Sequence, residues 1–300
     1  MPQEIAFETG GDGLPLTPKR GAATRRAGQF NLENAPPVSF IPRVKVVILA
    51  GGLGSRLSEE TTLRPKPMVE IGGYPILWHI LKGYAHHGFN DFAIALGYKG
   101  EFIKDYFLRY RMLSSNLSVD LASGKVESSG EPAENWKLQL VDTGKDTLTG
   151  GRLHRLEPLL RPHGTFMLTY GDGVCNVDIR KLLAFHKAHG KLATMTAVRP
   201  PARFGTMIFD GDRVTEFKEK PQTEGGWING GFFVLEPGIF DFLSGDKTVL
   251  EQKPLENLAR QSQLMAFKHE GFWQCMDTIR DKNLLEELWQ TQQPPWKVWS

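Results

Sequence analysis

The chain has 300 residues, 40% of them hydrophobic, and its 36 Lys and Arg nearly cancel 34 Asp and Glu to leave a formal charge of +2. That length can bury a substantial core. The near balance of charge gives no overall field that would draw the chain to nucleic acid or to a membrane, so any anion must be met by a local site. Two cysteines, Cys175 and Cys275, are too few for a disulfide framework, which fits a reducing compartment. No run of about 18 apolar residues is present, and the first residues carry neither a basic start nor an apolar stretch. The expectation is a cytoplasmic globular protein.

Residues 1–43 are rich in Gly, Pro and small polar residues without periodicity, and such a segment buries too little surface to offset its ordering entropy. It reads as a flexible arm, and its basic cluster Lys19, Arg20, Arg25 and Arg26 as solvated charge. From Val44 short apolar runs alternate with helix-like segments. Strands are expected at 46–50, 92–97, 138–141, 165–170 and 193–198, with helices at 76–87, 102–112 and 179–189. Beyond Pro200-Pro201 the texture is more β-like, with strands at 206–209, 214–217 and 228–235, then helices near 254–262 and 279–290. The reading is an α/β fold: a Rossmann-like, mostly parallel sheet flanked by helices, with a smaller β-rich lobe. Residues 44–300 are expected to form one domain, divided into a core at 44–200 and a lobe with a helical tail at 201–300.

In Val46-Val-Ile-Leu-Ala-Gly-Gly-Leu-Gly-Ser-Arg-Leu57 a buried-strand run ends in three glycines within four residues, which lets backbone N–H groups surround an anion without Cβ interference. The loop lacks the Gly-Lys-Ser/Thr ending of a Walker loop, and Leu57 stands where a dinucleotide fingerprint needs glycine. Arg56 adds a fixed positive fork, and in Leu63-Arg-Pro-Lys-Pro-Met-Val69 two prolines stiffen the chain around Lys66. Thr165-Phe-Met-Leu-Thr-Tyr-Gly-Asp-Gly173 delivers Asp172 at the end of a strand, the sheet edge where ligands bind in open α/β folds. A tight strand-to-helix turn, a turn aspartate and a helix-capping Asp277 are the plain alternatives.

Leu49-Ala-Gly-Gly-Leu-Gly-Ser-Arg-Leu57 followed by Pro65-Lys-Pro-Met68 resembles the signature of the sugar-nucleotide pyrophosphorylases. Gly97-Tyr-Lys-Gly100, Val141-Asp-Thr-Gly144, Thr149-Gly-Gly-Arg-Leu153 and Ile228-Asn-Gly-Gly-Phe-Phe-Val234 narrow the resemblance to members acting on CTP and glucose 1-phosphate. It runs from about residue 44 to the C-terminus. It implies catalysis by Arg56 and Lys66, and nucleotide binding by Leu49, Ala50, Gly51, Gly52, Leu53, Gly54, Ser55, Arg56, Lys66, Thr147, Arg152 and Gly171. It implies Mg²⁺ on Asp172 and Asp277, and sugar-phosphate binding by Glu219, Lys220 and Asn229. Gln222-Thr-Glu224 departs from the more basic, glycine-containing turn expected of the family. The resemblance also implies a homo-oligomer, a hexamer among the candidates, with no nucleic-acid or membrane partner. Cytosine presents acceptors at O2 and N3, which a donor-only arginine suits; Arg152 could equally lie along a surface helix. The same chemistry with another nucleotide or sugar phosphate, and a silent nucleotide-sugar-binding regulator, stay open. His186 and His189, three apart on one helix, read as a solvated face, and the two cysteines as small buried thiols.

Overall fold

In the computed structural model, strand β1 (Lys45–Leu49) is buried along its whole length between two parallel neighbours. An unbroken apolar run is what a strand covered on both faces requires. Val46 and Ile48 point into one core and Val47 and Leu49 into the other, as the two-residue period of a strand dictates. Lys45, 1% exposed, donates to Asp91 Oδ1 at 2.5 Å and Gln139 Oε1 at 2.8 Å. This buried contact pins three strands in register at the edge away from the glycine loop. The structure describes residues 44–130, 134–200, 206–218, 226–291 and 293–300, within one compact unit, Val38–Ser300. The arm 1–43 with its basic cluster, Glu219, Lys220 and the turn 222–224 lie outside the described residues.

After β1 come a short helix α1 (Ser58–Thr61), the small hairpin β2 (Glu70–Ile71) and β3 (Tyr74–Pro75), and helix α2 (Ile76–His86). Strand β4 (Asp91–Leu96), helix α3 (Gly100–Leu113) and the hairpin β5 (Asn116–Asp120) and β6 (Lys125–Ser129) follow. Next are β7 (Lys137–Asp142), α4 (Thr149–Arg155), α5 (Glu157–Leu160), β8 (Phe166–Tyr170), β9 (Gly173–Cys175), α6 (Ile179–His189) and β10 (Ala193–Val198). The chain continues with β11 (Thr206–Asp210), β12 (Arg213–Lys218), β13 (Ile228–Asn229), β14 (Phe233–Leu235), α7 (Lys253–Arg260), β15 (Leu264–His269), β16 (Trp273–Cys275) and α8 (Ile279–Trp289). The central sheet has the order β13-β10-β14-β8-β1-β4-β7, and β15 pairs with β10. Pairings β8–β1–β4–β7 and β10–β15 are parallel, whereas β14 and β13 run antiparallel to their neighbours. Strands from both sides of residue 200 thus share one sheet. Helices α2, α6 and α8 cover the first core, and α4, α5 and α7 the second.

Two expectations are corrected. The strand expected over 228–235 is interrupted at Gly230-Gly231-Phe232, where Gly231 has φ +78° and Phe232 φ +46°. That left-handed backbone turns the chain from β13 into β14. His186 is 1% exposed rather than solvated, with Nδ1 2.8 Å from Thr194 Oγ1 and Nε2 3.2 Å from Glu236 Oε1. Burial disfavours its imidazolium form and lowers its pKa from 6.5 to about 4. Among the described residues no helix is long and apolar enough to cross a membrane.

Candidate active site

The parallel strands end on a common edge, and their loops enclose a cavity of about 320 Å³. The glycine loop forms its floor. Gly171 N donates to Leu49 O at 3.0 Å and Tyr98 N to Gly51 O at 3.1 Å, which ties the loop to its neighbours on both sides. Gly54, at φ +65°, starts the single turn Ser55–Leu57. Of the residues implied by sequence, Leu49, Ala50, Gly51, Gly52, Gly54, Arg56, Lys66, Thr147, Arg152, Gly171 and Asp172 line the cavity. Leu53 points outward at 57% exposure.

The turn Lys66–Met68, between Pro65 and Val69, is buried, and Lys66 is 8% exposed. Its ammonium lies 2.6 Å from Asp172 Oδ2 and 2.5 Å from Asp277 Oδ1. Arg56 Nη1 lies 2.8 Å from Asp277 Oδ2. Burial alone would lower the Lys66 pKa, but the charges of Asp172 and Asp277 and their hydrogen bonds more than offset it and raise it. Burial likewise pushes Asp277 up, and Lys66 and Arg56 hold it below the usual carboxylate range. The meeting of two aspartates so distant in sequence has a local cause. Strand β16 pairs with β9 so that Cys275 faces Gly173, and Met276 N donates to Asp172 O at 2.8 Å.

Two carboxylates converging on one positive point are hard-oxygen donors of the kind a divalent cation takes. Among the described residues no three His, Cys, Asp or Glu side chains gather into a metal-holding group. A cation here would take its remaining ligands from phosphate or water, which suits Mg²⁺. The neighbouring Cys275, with Sγ 3.6 Å from Asp277 Oδ2, is a free thiol pushed up to about 12 by burial and by the adjacent carboxylates. Cys175 is raised to about 12 by burial.

Arg152 is no surface side chain. At 4% exposure its Nη1 donates to Leu96 O, Thr143 Oγ1 and Gly144 O at 2.8–2.9 Å, and its Nη2 to Gly51 O at 2.9 Å and Lys145 O at 3.2 Å. Three acceptors share the two hydrogens of Nη1. The guanidinium therefore stitches the glycine loop to the ends of β4 and β7, and it does so from within the cavity wall. The sequence reading missed Tyr170, Thr149 and Glu251. Tyr170 Oη donates to Glu251 Oε1 and accepts from Asn229 Nδ2, while Thr149 donates to Glu251 Oε2. The place of Tyr170 immediately before Gly171-Asp172 was the available signal. Glu251 carried none, because no periodicity announces a loop carboxylate.

Residues 45–278 match the family model described as nucleotidyl transferase. The chain is 53% identical over 256 residues to glucose-1-phosphate cytidylyltransferase of Salmonella typhi, covering 85% of this chain and 100% of that protein. It is 45% identical to the probable glucose-1-phosphate cytidylyltransferase of Bacillus subtilis, again over 85% and 100%. Among solved structures, HddC from Yersinia pseudotuberculosis complexed with GMP-PN superposes with a TM-score of 0.61 at 24% identity, covering 82% of this chain and 100% of that one. UDP-glucose pyrophosphorylase complexed with UDP-glucose gives a TM-score of 0.61 at 16% identity, covering 83% and 99%. The last two likenesses concern the fold. The chain belongs to the nucleotidyl transferase family and, within it, to the family of the glucose-1-phosphate cytidylyltransferases.

Proposed function

We infer that the protein transfers the cytidylyl group of CTP to α-D-glucose 1-phosphate, giving CDP-glucose and pyrophosphate. A phosphate oxygen of the sugar phosphate attacks the α-phosphorus, and the bond from that phosphorus to the bridging oxygen breaks as pyrophosphate leaves with the electron pair. No covalent enzyme intermediate is needed, so the protein contributes alignment and charge. The observation that carries the reading is the meeting of Arg56, Lys66, Asp172 and Asp277 beside the glycine-loop cavity.

The amides of the glycine loop and the Arg56 fork hold the triphosphate, and Lys66 offsets negative charge that shifts toward the leaving pyrophosphate. Asp172 and Asp277 would hold Mg²⁺, which when bound neutralises phosphate charge. Arg152 faces the base end as a donor-only group. Because its Nη1 is shared among three acceptors, one of them can be exchanged for a cytosine acceptor at low cost. Asn229, with Glu219 and Lys220 outside the described residues, takes the sugar-phosphate side. The assembly expected from the family likeness is a homo-oligomer, checked by light scattering, acting in the cytoplasm where nucleoside triphosphates are supplied.

Purified protein with Mg²⁺ and glucose 1-phosphate is offered CTP, UTP, dTTP, GTP and ATP in turn, with pyrophosphate release as readout. Preference for CTP is the expected result. Preference for another nucleotide would overturn the substrate assignment and keep the reaction class; release with none would overturn the enzymatic reading.

A further inference from the structure

Four polar side chains form a continuous chain beside the cavity, with Thr149 and Tyr170 in its lining. Thr149 Oγ1 donates to Glu251 Oε2 at 2.6 Å, Tyr170 Oη donates to Glu251 Oε1 at 2.6 Å, and Asn229 Nδ2 donates to Tyr170 Oη at 3.0 Å. Asn229 Oδ1 accepts from Gly231 N at 2.9 Å. The direction of every hydrogen bond follows from one group. An ionised carboxylate only accepts, so both hydroxyl protons turn toward Glu251. Tyr170 then offers its oxygen as an acceptor, and that acceptor selects the amide face of Asn229, whose carbonyl side is already taken by Gly231. That leaves one amide hydrogen of Asn229 outside these contacts, next to Tyr170, which lines the cavity. Burial and the Glu251 charge raise the Tyr170 phenol well above its ordinary value, so its proton stays in place at any working pH.

Glu251 is itself held by main-chain contacts to the nucleotide side. Leu250 is fully buried, its N donates to Thr149 Oγ1 at 3.0 Å, and Gly150 N donates to Thr248 O at 3.0 Å. A β-carbon on Gly151 would fall 2.3 Å from Asp246 O, so the 246–251 segment and the start of α4 are in direct contact. Thr149 lies in the same turn of α4 as Arg152. The chain of hydrogen bonds therefore runs from the turn of α4 that carries Arg152, proposed above for the base, to Asn229, proposed above for the sugar phosphate.

We propose that Glu251 is a positioning residue for the sugar 1-phosphate: it orients Tyr170 and, through it, the Asn229 amide, in register with the nucleotide side of the cavity. The inference rests on the cytidylyl-transfer reading above, which supplies the substrates. Glu251→Gln keeps the shape but replaces one acceptor by a donor, so one hydroxyl proton must turn and the Asn229 amide loses its fixed partner. The expected result is a rise of about tenfold in KM for glucose 1-phosphate, the change that one lost hydrogen bond to a charged group produces. KM for CTP should stay within about twofold, a split that a purely structural role does not give. Tyr170→Phe should produce the same rise, and the double variant no more than either single one, because the two act in one chain. An equal rise for both substrates, additive effects in the double variant, or no change would overturn the proposal. If Glu251→Gln does not fold, Tyr170→Phe and Asn229→Ala carry the same KM comparison, with an equal rise for both substrates again the overturning outcome. Failure of the wild-type protein to make CDP-glucose would overturn the parent reading and this one with it, which separates the two failures.

Discussion

Asp281 is the residue on which the geometry of Asp277 rests, and its replacement makes a sharp test. Its Oδ2 accepts from Asp277 N at 3.1 Å and from Thr278 N at 3.0 Å, while Thr278 Oγ1 accepts from Asp281 N at 3.2 Å. This is the capping box of α8, with Asp281 7% exposed. Asp281→Ala removes a cap, worth about 0.5–2 kcal/mol, and leaves two N–H groups beside the Asp277 carboxylate without their charged acceptor. Together these give a loss of roughly 2–3 kcal/mol. At about 2–4 °C per kcal/mol for a domain of this size, Tm should fall by roughly 5–10 °C. The effect on turnover should be larger than stability implies, because a carboxylate displaced by about 1 Å costs on the order of 100-fold. Asp281→Asn supplies an oxygen in the same place and should keep kcat within about threefold. Calorimetry and steady-state pyrophosphate release measure both. An alanine variant with native kcat, or an asparagine variant as impaired as alanine, would refute the claim that Asp281 acts by holding the Asp277 backbone.

Lys66→Met removes the ammonium from between Asp172 and Asp277, and the protein without nucleotide should then bind Mn²⁺ about tenfold more tightly or better, read by electron paramagnetic resonance, since among the described residues Lys66 is the one cation paired with both carboxylates; unchanged or weaker binding would contradict the metal-holding role proposed for the two aspartates. Gly51→Ala would place a β-carbon 2.2 Å from Arg152 Nη1, so the guanidinium must leave its carbonyl cluster and KM for CTP should rise about tenfold. At Gly52 a β-carbon meets nothing within 4 Å, so the smaller effect belongs to Gly52→Ala, and the reverse order would contradict the role given to Arg152. His79 is buried, with Nε2 2.9 Å from Ile71 O and Nδ1 accepting from Trp296 Nε1 at 3.3 Å, and burial lowers its pKa from 6.5 to about 4. The unfolded chain takes up that proton near pH 6.5 and the folded chain only near 4, so the stability is present above pH 6.5 and is lost as pH falls toward 4. The loss amounts to roughly 2–3 kcal/mol. Urea unfolding at pH 7.5 and 4.5 should show His79→Gln losing less between the two than the native chain, and an equal or greater loss would contradict this account.

The sequence was most legible where one residue's surroundings are set by its near neighbours. The apolar run 46–50 had to be a buried strand, and Asp178 before Ile179 with Gly190 after His189 bounds α6 at the expected residues, Asp178 Oδ1 accepting from Arg180 N and Lys181 N. The glycine loop and the Pro-Lys-Pro turn were visible for the same reason. What escaped the reading depends on distant contacts. Arg152 could be named but its burial could not, since its five acceptors come from three separate segments: the glycine loop, the end of β4 and the loop after β7. The break at Gly230-Gly231 did carry a signal, since a Gly-Gly pair marks a turn, but the β-branched and aromatic residues on either side outweighed it in the reading. The hairpin β5–β6 was missed because both strands are exposed, so no buried stripe marks them. Glu251 meets Tyr170 only after the 246–251 segment packs on α4.

The site is assembled from two mechanically different halves. Asp172 sits two residues beyond the end of β8, the strand that pairs with the buried β1, and Gly171 N donates to Leu49 O at the end of β1. Asp277 instead hangs on the two-stranded ribbon β9–β16 and on the first turn of α8. That helix is fastened at points spread along it: Lys282 pairs with Glu60 of α1, Glu286 Oε2 accepts from Gly72 N, and Leu285 is fully buried. Trp289 packs edge-on to His79 at 4.7 Å and stacks on Trp296, which in turn stacks on Phe272 just ahead of β16. A β-carbon at Gly72 would lie 1.8 Å from Trp289 Nε1, so α8 has no room to slide. The C-terminal tryptophans therefore do at a distance what the sheet does directly for Asp172. They set where the second carboxylate stands relative to the first, and loosening them should weaken the carboxylate pair before it disturbs the glycine loop.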